Sequence, residues 1–186
     1  MNPVSLPFTW ERVFEEGEPR RALEETVLPA YLPRCRWFGA KARATERFRI
    51  SELLTIPKDV HAPEDEPSAH LAFVRVEYSD GGAETYALPM HTMAGGEDAE
   101  ELAQKSPEAV IAQLENGAIL FDAIQAPNFG SRLINLLASG EAVPGEFGEL
   151  AGIPGKGLPD GAANFTARVL KVEQSNSSMI FRDPFG

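Results

Sequence analysis

An α+β fold, with an antiparallel sheet packed on one or two helices, is what this sequence predicts, and three segments predict it. Leu23, Val27 and Tyr31 recur at every fourth position, the stripe that a helix buries. Val74, Val76 and Tyr78 alternate with Arg75 and Glu77, and Tyr86, Leu88 and Met90 alternate again beyond Ser79-Asp80-Gly81-Gly82, the pattern of a β-hairpin. Phe129, Leu133, Leu136 and Leu137 fall at i, i+4, i+7 and i+8, which is the face of a second amphipathic helix.

Taken in order, the first helix starts near Pro19, with Ala30 beside its stripe and Glu24 and Glu25 outside it. Pro29 and Pro33 lack an N–H and disfavour helical geometry in the residue before them, so a kink or stop is expected near Leu28. Arg36-Trp37-Phe38-Gly39-Ala40-Lys41 then reads as a helix-to-strand turn with both aromatics in the core. Phe48, Ile50, Leu54 and Ile56 share one parity with Glu52, as in a strand with one buried face, and Pro57 closes it. Residues 58–68, rich in proline and acid, form a loop before the hairpin.

Beyond the hairpin, residues 97–105 read as a short charged helix, and Ser106 with residues 108–114 as a further turn of helix. Asn116-Gly117 punctuates before Ile119-Leu120-Phe121, a triplet long enough for a short buried strand. In the second amphipathic helix Pro127 occupies an early position and Gly140 ends it. Residues 141–161 are so dense in glycine and proline that they oppose regular structure and read as a linker. Residues 166–172 and 178–181 look like two short strands around the polar run Glu173-Gln174-Ser175-Asn176-Ser177. Two strands rarely stand alone in water, so this hairpin leans on what precedes it or belongs to a larger domain.

The 186 residues fit one domain, or one domain and the opening of a second, and a 43% hydrophobic content supplies a core. Acidic residues outnumber basic ones 28 to 17, and a net charge of −11 repels nucleic-acid backbones and anionic membranes alike. The first ten residues lack a secretory pattern and no apolar run spans a bilayer, so a cytoplasmic protein is expected. Cys35 lies between Arg34 and Arg36 but reads as a small packing residue, with no base beside it.

His61, His70 and His91 are too dispersed for a metal site, and Glu97, Asp98, Glu100 and Glu101 lack the spacing of a calcium loop. Gly155-Lys156-Gly157 has no strand before it and no Ser or Thr after the lysine, so it belongs to the linker and not to a phosphate loop. No catalytic or metal-ligating residue is assigned. What remains is Gln174, Ser175, Asn176, Ser177 and Ser178, whose hydroxyl, amide and N–H groups suit a phosphate-contacting loop or, equally, a polar hairpin turn.

In this order the segments resemble the start of the maltokinases, ATP-dependent kinases of the aminoglycoside-phosphotransferase-like superfamily. The run from Leu28-Pro29 through Arg36-Trp37-Phe38-Gly39 to the basic turn ending at Arg43 resembles their N-terminal cap signature. Leu88-Pro89 and Leu120-Phe121-Asp122-Ala123 are similar to further cap segments, and Glu173 to Ser178 resembles a Glu-Gln-Ser-Asn-Thr-Ser loop with Ser177 in place of threonine. The resemblance implies a cystatin-like cap over residues 1–140, a Gly/Pro-rich linker over 141–165, and over 166–186 the first hairpin of a kinase small lobe. It implies that Gln174, Ser175, Asn176, Ser177 and Ser178 meet ATP.

In the family the complete protein makes maltose 1-phosphate from maltose and ATP with Mg2+, within α-glucan metabolism. A lysine, a catalytic aspartate and metal ligands would lie beyond Gly186, so the 186 residues themselves are expected to be non-catalytic and to bind no cofactor alone. The implied partners are the remaining kinase lobes and trehalose synthase. Two alternatives stay open: a module that holds a kinase against trehalose synthase, and a stand-alone ligand- or protein-binding module.

Overall fold

The computed structural model describes residues 3–58, 66–126, 128–170 and 178–183. It is a mixed α+β structure. One six-stranded sheet consists of β1 (Val4–Ser5), β2 (Thr45–Ile56), β3 (Ala69–Tyr78), β4 (Ala83–Met93), β5 (Val110–Gln113) and β6 (Ile119–Asp122), in the order β1-β5-β6-β4-β3-β2. β1 runs parallel to β5 and the remaining neighbours are antiparallel.

The helical segment before β2 does not stop near Leu28. Helix α1 (Glu18–Ala22) passes into a π turn (Leu23–Val27), then helix α2 (Leu28–Tyr31) and a 3-10 turn (Leu32–Arg34). In the π turn the Leu28 N–H reaches back to the Leu23 carbonyl, and this widened winding carries the chain past Pro29, which has no N–H to give. Leu23, Val27, Leu28, Tyr31 and Leu32 are all buried against the sheet. Glu24 is not merely solvated, since its Oε1 accepts the Ile50 N–H at 2.8 Å and so satisfies a donor of β2.

The four apolar residues of β2 do not share one face. The register with β3 shifts between Ile50 and Glu52, where Ser51 is the extra residue of a β-bulge. A bulge of one residue turns every later side chain to the opposite face. Phe48 and Ile50 therefore join the core under the N-terminal helices, with Val74, Val76 and Met90, whereas Ile56 joins Ala69, Ala123 and Phe129 in a second core on the far side. The bulge is what lets one curled sheet serve two layers.

Residues 108–114, expected to be helical, are mostly strand. A 3-10 turn (Pro107–Ala109) leads into β5, whose Val110, Ile111 and Ala112 are all buried, so a β-branched run closed in on both faces prevails over weak helical periodicity. Helix α3 (Glu97–Lys105) buries Ala99 and keeps its acids outward, with Glu101 and Lys105 paired one turn apart.

Helix α4 (Phe129–Ser139) ends at Gly140, whose φ of 67° is the left-handed geometry that a C-terminal glycine supplies. Pro127 lies outside the described residues. Phe129 and Leu136 are buried as the stripe requires, Leu133 and Leu137 are half-buried, and Arg132 is buried as well, paired with Glu66. The expected linker contains a small hairpin, β7 (Ala142–Pro144) with β8 (Glu149–Ala151), which correction has a specific cause. Glu52, turned outward by the bulge, accepts the Glu146 N–H at 2.6 Å and the Phe147 N–H at 3.0 Å, so one carboxylate organises the turn.

Trp37 and Phe38 part company. Phe38 is 2% exposed and its ring lies 4.9 Å from that of Tyr86, while Trp37 is only half-buried, against the expectation that both fill the core. Phe38→Ala is expected to destabilise the fold by about 3–5 kcal/mol and Trp37→Ala by about 1–2 kcal/mol. Urea melts of the two variants check this, and equal losses would place Trp37 in the core after all.

Candidate functional site

Of the residues expected to meet ATP, Gln174, Ser175, Asn176 and Ser177 lie outside the described residues, and only Ser178 is placed. It is half-buried at the start of β10 (Met179–Arg182), and its carbonyl accepts the Leu170 N–H at 2.9 Å. β10 pairs antiparallel with β9 (Thr166–Val169), Met179 opposite Val169 and Arg182 opposite Thr166, so residues 171–177 connect two paired strands. The hairpin rests on α4 at Gly130. A Cβ there would overlap the Ala167 Cβ and press on the Met179 sulfur, so only glycine admits this approach.

A second place is assembled from residues far apart in sequence. The turn after α2 brings Trp37 to the rim of a cleft of about 370 Å³, where it meets Thr85, Tyr86, Ala87 and Pro89 of β4 and Asp122 at the end of β6. Trp37 and Tyr86 rings stand 6.0 Å apart at 42°. Phe38 backs Tyr86, and the Tyr86 hydroxyl donates to Glu84, so the ring is held from behind and at its tip. Burial and the Glu84 carboxylate beside it push the Tyr86 hydroxyl pKa up, which keeps it a donor.

Arg43, the last residue of the basic turn, locks this arrangement to the β3–β4 hairpin. Its guanidinium donates to Asp80 at 2.6 and 3.0 Å and to Glu84 at 3.1 Å, and lies 3.7 Å over the Tyr78 ring. Glu84 in turn accepts from Tyr78 at 3.0 Å. Cys35, beneath the turn, is buried and its pKa is pushed up to about 11 by that burial, as suits a packing residue.

Asp122 is the unusual member. It is 8% exposed, its Oδ1 accepts the Ile124 N–H at 3.0 Å, and among the described residues no cation pairs with it. Burial pushes its pKa up to about 6. His70 is shifted the other way, to about 4, because burial against the Phe14 ring disfavours its charged form. His91 is likewise held neutral by burial, and His61 lies outside the described residues.

The cleft joins the segments that the sequence singled out separately: Trp37 from the Arg-Trp-Phe-Gly run, Pro89 from Leu88-Pro89, and Asp122 from the Leu120–Ala123 segment. The model of the maltokinase N-terminal cap domain matches residues 31–125, just over half of the chain and the whole span from Tyr31 past Asp122. The chain belongs to that family. No curated protein matches it. Among the described residues no helix is long and apolar enough to cross a membrane.

Sequence reasoning on this maltokinase cap found Trp37 but missed Tyr86, Thr85 and Asp122 as its neighbours. The available signal was Asp122 itself, a lone acid closing an apolar strand.

Because the folded-state pKa of Asp122 is raised above that of a free carboxylate, its favourable contribution is complete below about pH 4 and is lost as pH rises through about 6. Asp122→Asn keeps the acceptor for Ile124 and removes the charge. It is expected to gain on the native protein by about 2–3 kcal/mol at pH 8 and by almost nothing near pH 4. Denaturant melts across that range check the trend, and a gain independent of pH would show that Asp122 is not desolvated.

Proposed function

We propose that this chain is the N-terminal cap region of a maltokinase-like sugar kinase, in which phosphoryl transfer from ATP to maltose is carried out by the complete protein. The observation that carries the reading is the family match over residues 31–125, and the seating of a paired hairpin on the cap helix α4 at Gly130 supports it. In this reading the cap is cystatin-like, residues 166–186 open the small lobe, and the run from Gln174 to Ser178 covers the phosphates of ATP.

The chemistry asked of these residues is modest. Phosphoryl transfer depends mainly on positioning and on charge stabilisation by a lysine and bound Mg2+, so the hydroxyl, amide and N–H groups of the loop act by holding the nucleotide in line. β9 and β10, the strands before and after that run in sequence, are paired, and α4 holds the pair at Gly130. In this reading cap residues such as Trp37 and Arg43 take no part in the reaction; they hold the turn after α2 against β4 and the β3–β4 hairpin.

The test is kinetic and uses the complete kinase carrying this segment. Replacing Ser175, Asn176 and Ser177 together with alanine is expected to raise the ATP KM or lower kcat by at least about tenfold, equivalent to about 1.4 kcal/mol, with the maltose KM moving less. Unchanged ATP kinetics would reduce the loop to a turn between two strands.

A further inference from the structure

We propose that the cleft between Trp37 and Asp122 is a strand-addition site for an extended basic segment of a partner protein, whose main chain pairs with the open edge of β4 and whose lysine or arginine enters beside Asp122. This does not depend on the kinase reading. It rests on the register of the sheet, on a proline, and on a carboxylate with no counter-ion among the described residues.

β4 pairs with β3 along residues 83–90, but β6 covers only Met90–Met93 on its other side. After Asp122 the chain turns away in a 3-10 turn (Ala123–Gln125), and among the described residues no strand follows β4 further. Residues 83–89 are thus an open edge inside a sheet that is otherwise continued. Such an edge recruits extended chains unless something blunts it.

Pro89 tells which backbone groups face outward. It lies opposite Leu71 in the β3–β4 ladder, where a residue with no N–H is tolerated only if that position points away from the partner strand. Outward and inward positions alternate along an antiparallel pair, so Ala87 and Thr85, two and four residues before it, also direct their N–H and carbonyl groups into the cleft. Pro89 at the same time stops a visiting strand from advancing towards β6.

The side chains around this edge select the visitor. Trp37 and Tyr86 line it with aromatic rings, and Asp122 offers a buried carboxylate that, among the described residues, accepts a hydrogen bond from the Ile124 N–H alone. The neighbouring acids Asp80 and Glu84 are already paired with Arg43, which leaves Asp122 as the acid the cleft itself presents. A cation beside aromatic faces and a desolvated carboxylate is favoured by both. The net charge of −11 draws a basic segment and repels an acidic one.

The experiment follows amide and indole resonances of the full 186-residue chain during titration with an acetylated, amidated seven-residue peptide of alternating threonine and valine with a central arginine. Shifts at the Thr85 and Ala87 amides and the Trp37 indole are expected, with a Kd below about 1 mM. The citrulline counterpart, Asp122→Asn, and Ala87→Pro are each expected to weaken binding at least about tenfold. N-methylation of the peptide on both sides of the arginine removes the same main-chain bonds without altering the protein, and gives the answer even if Ala87→Pro does not fold. Equal binding of the citrulline peptide, equal binding of acetyl-arginine amide, maltose shifting these resonances in the peptide's place, or no shifts at several-fold higher peptide would each overturn the proposal.

Discussion

The N-terminal helices pressed against the inner face of β3 and β4 are the constraint on which the rest of this structure depends. Tyr31, Leu32 and Phe38 meet Val74, Val76, Leu88 and Met90 in one core, and that contact closes the sheet on one side. Burial of this kind is the main favourable term in a fold of this size. It also determines where the following turn emerges. With Phe38 seated behind Tyr86, Trp37 lies at the edge of β4, and Arg43 at the end of the same turn pairs with Asp80 and Glu84.

The second layer depends on a single extra residue. Without the bulge at Ser51, Ile56 and Glu52 would face the N-terminal helices, Phe129 of α4 would lose its β2 neighbour Ile56, and the β7–β8 turn would lose the Glu52 carboxylate. With it, the same strand contributes to both layers. Asp122 shows the opposite tendency: a carboxylate held in an apolar setting, with no counter-ion among the described residues, opposes folding at neutral pH, and groups of that kind concentrate where a protein binds something. The stability lost at Asp122 and the open edge beside it are two signs of one surface left unfinished by the fold.

The sheet hairpin, the first helix and α4 were legible because their periodicity is sustained over many residues, as in the alternation from Val74 to Met90. What was illegible has physical causes. A π turn conceals how a helix passes Pro29, since prolines in sequence suggest only interruption. A bulge leaves no mark in the parity of Phe48, Ile50, Leu54 and Ile56. β5 and the β7–β8 turn depend on partners remote in sequence, such as Glu52 for the turn, and local pattern does not contain them. The cleft was legible only as fragments, because Trp37, Pro89 and Asp122 are brought together by the tertiary fold.

The β9–β10 hairpin is joined to α4, and through it to the sheet, by the contact of Gly130 with Ala167. Hydrogen exchange of the native chain and of Gly130→Ala tests this most directly, because alanine ordinarily favours a helix over glycine by about 1 kcal/mol, so any loosening must come from the contact. β9 and β10 are expected to exchange at least about tenfold faster in the variant while β2, β3 and β4 keep their protection. Unchanged protection in β9 and β10 would contradict it, and so would a uniform loss across the sheet.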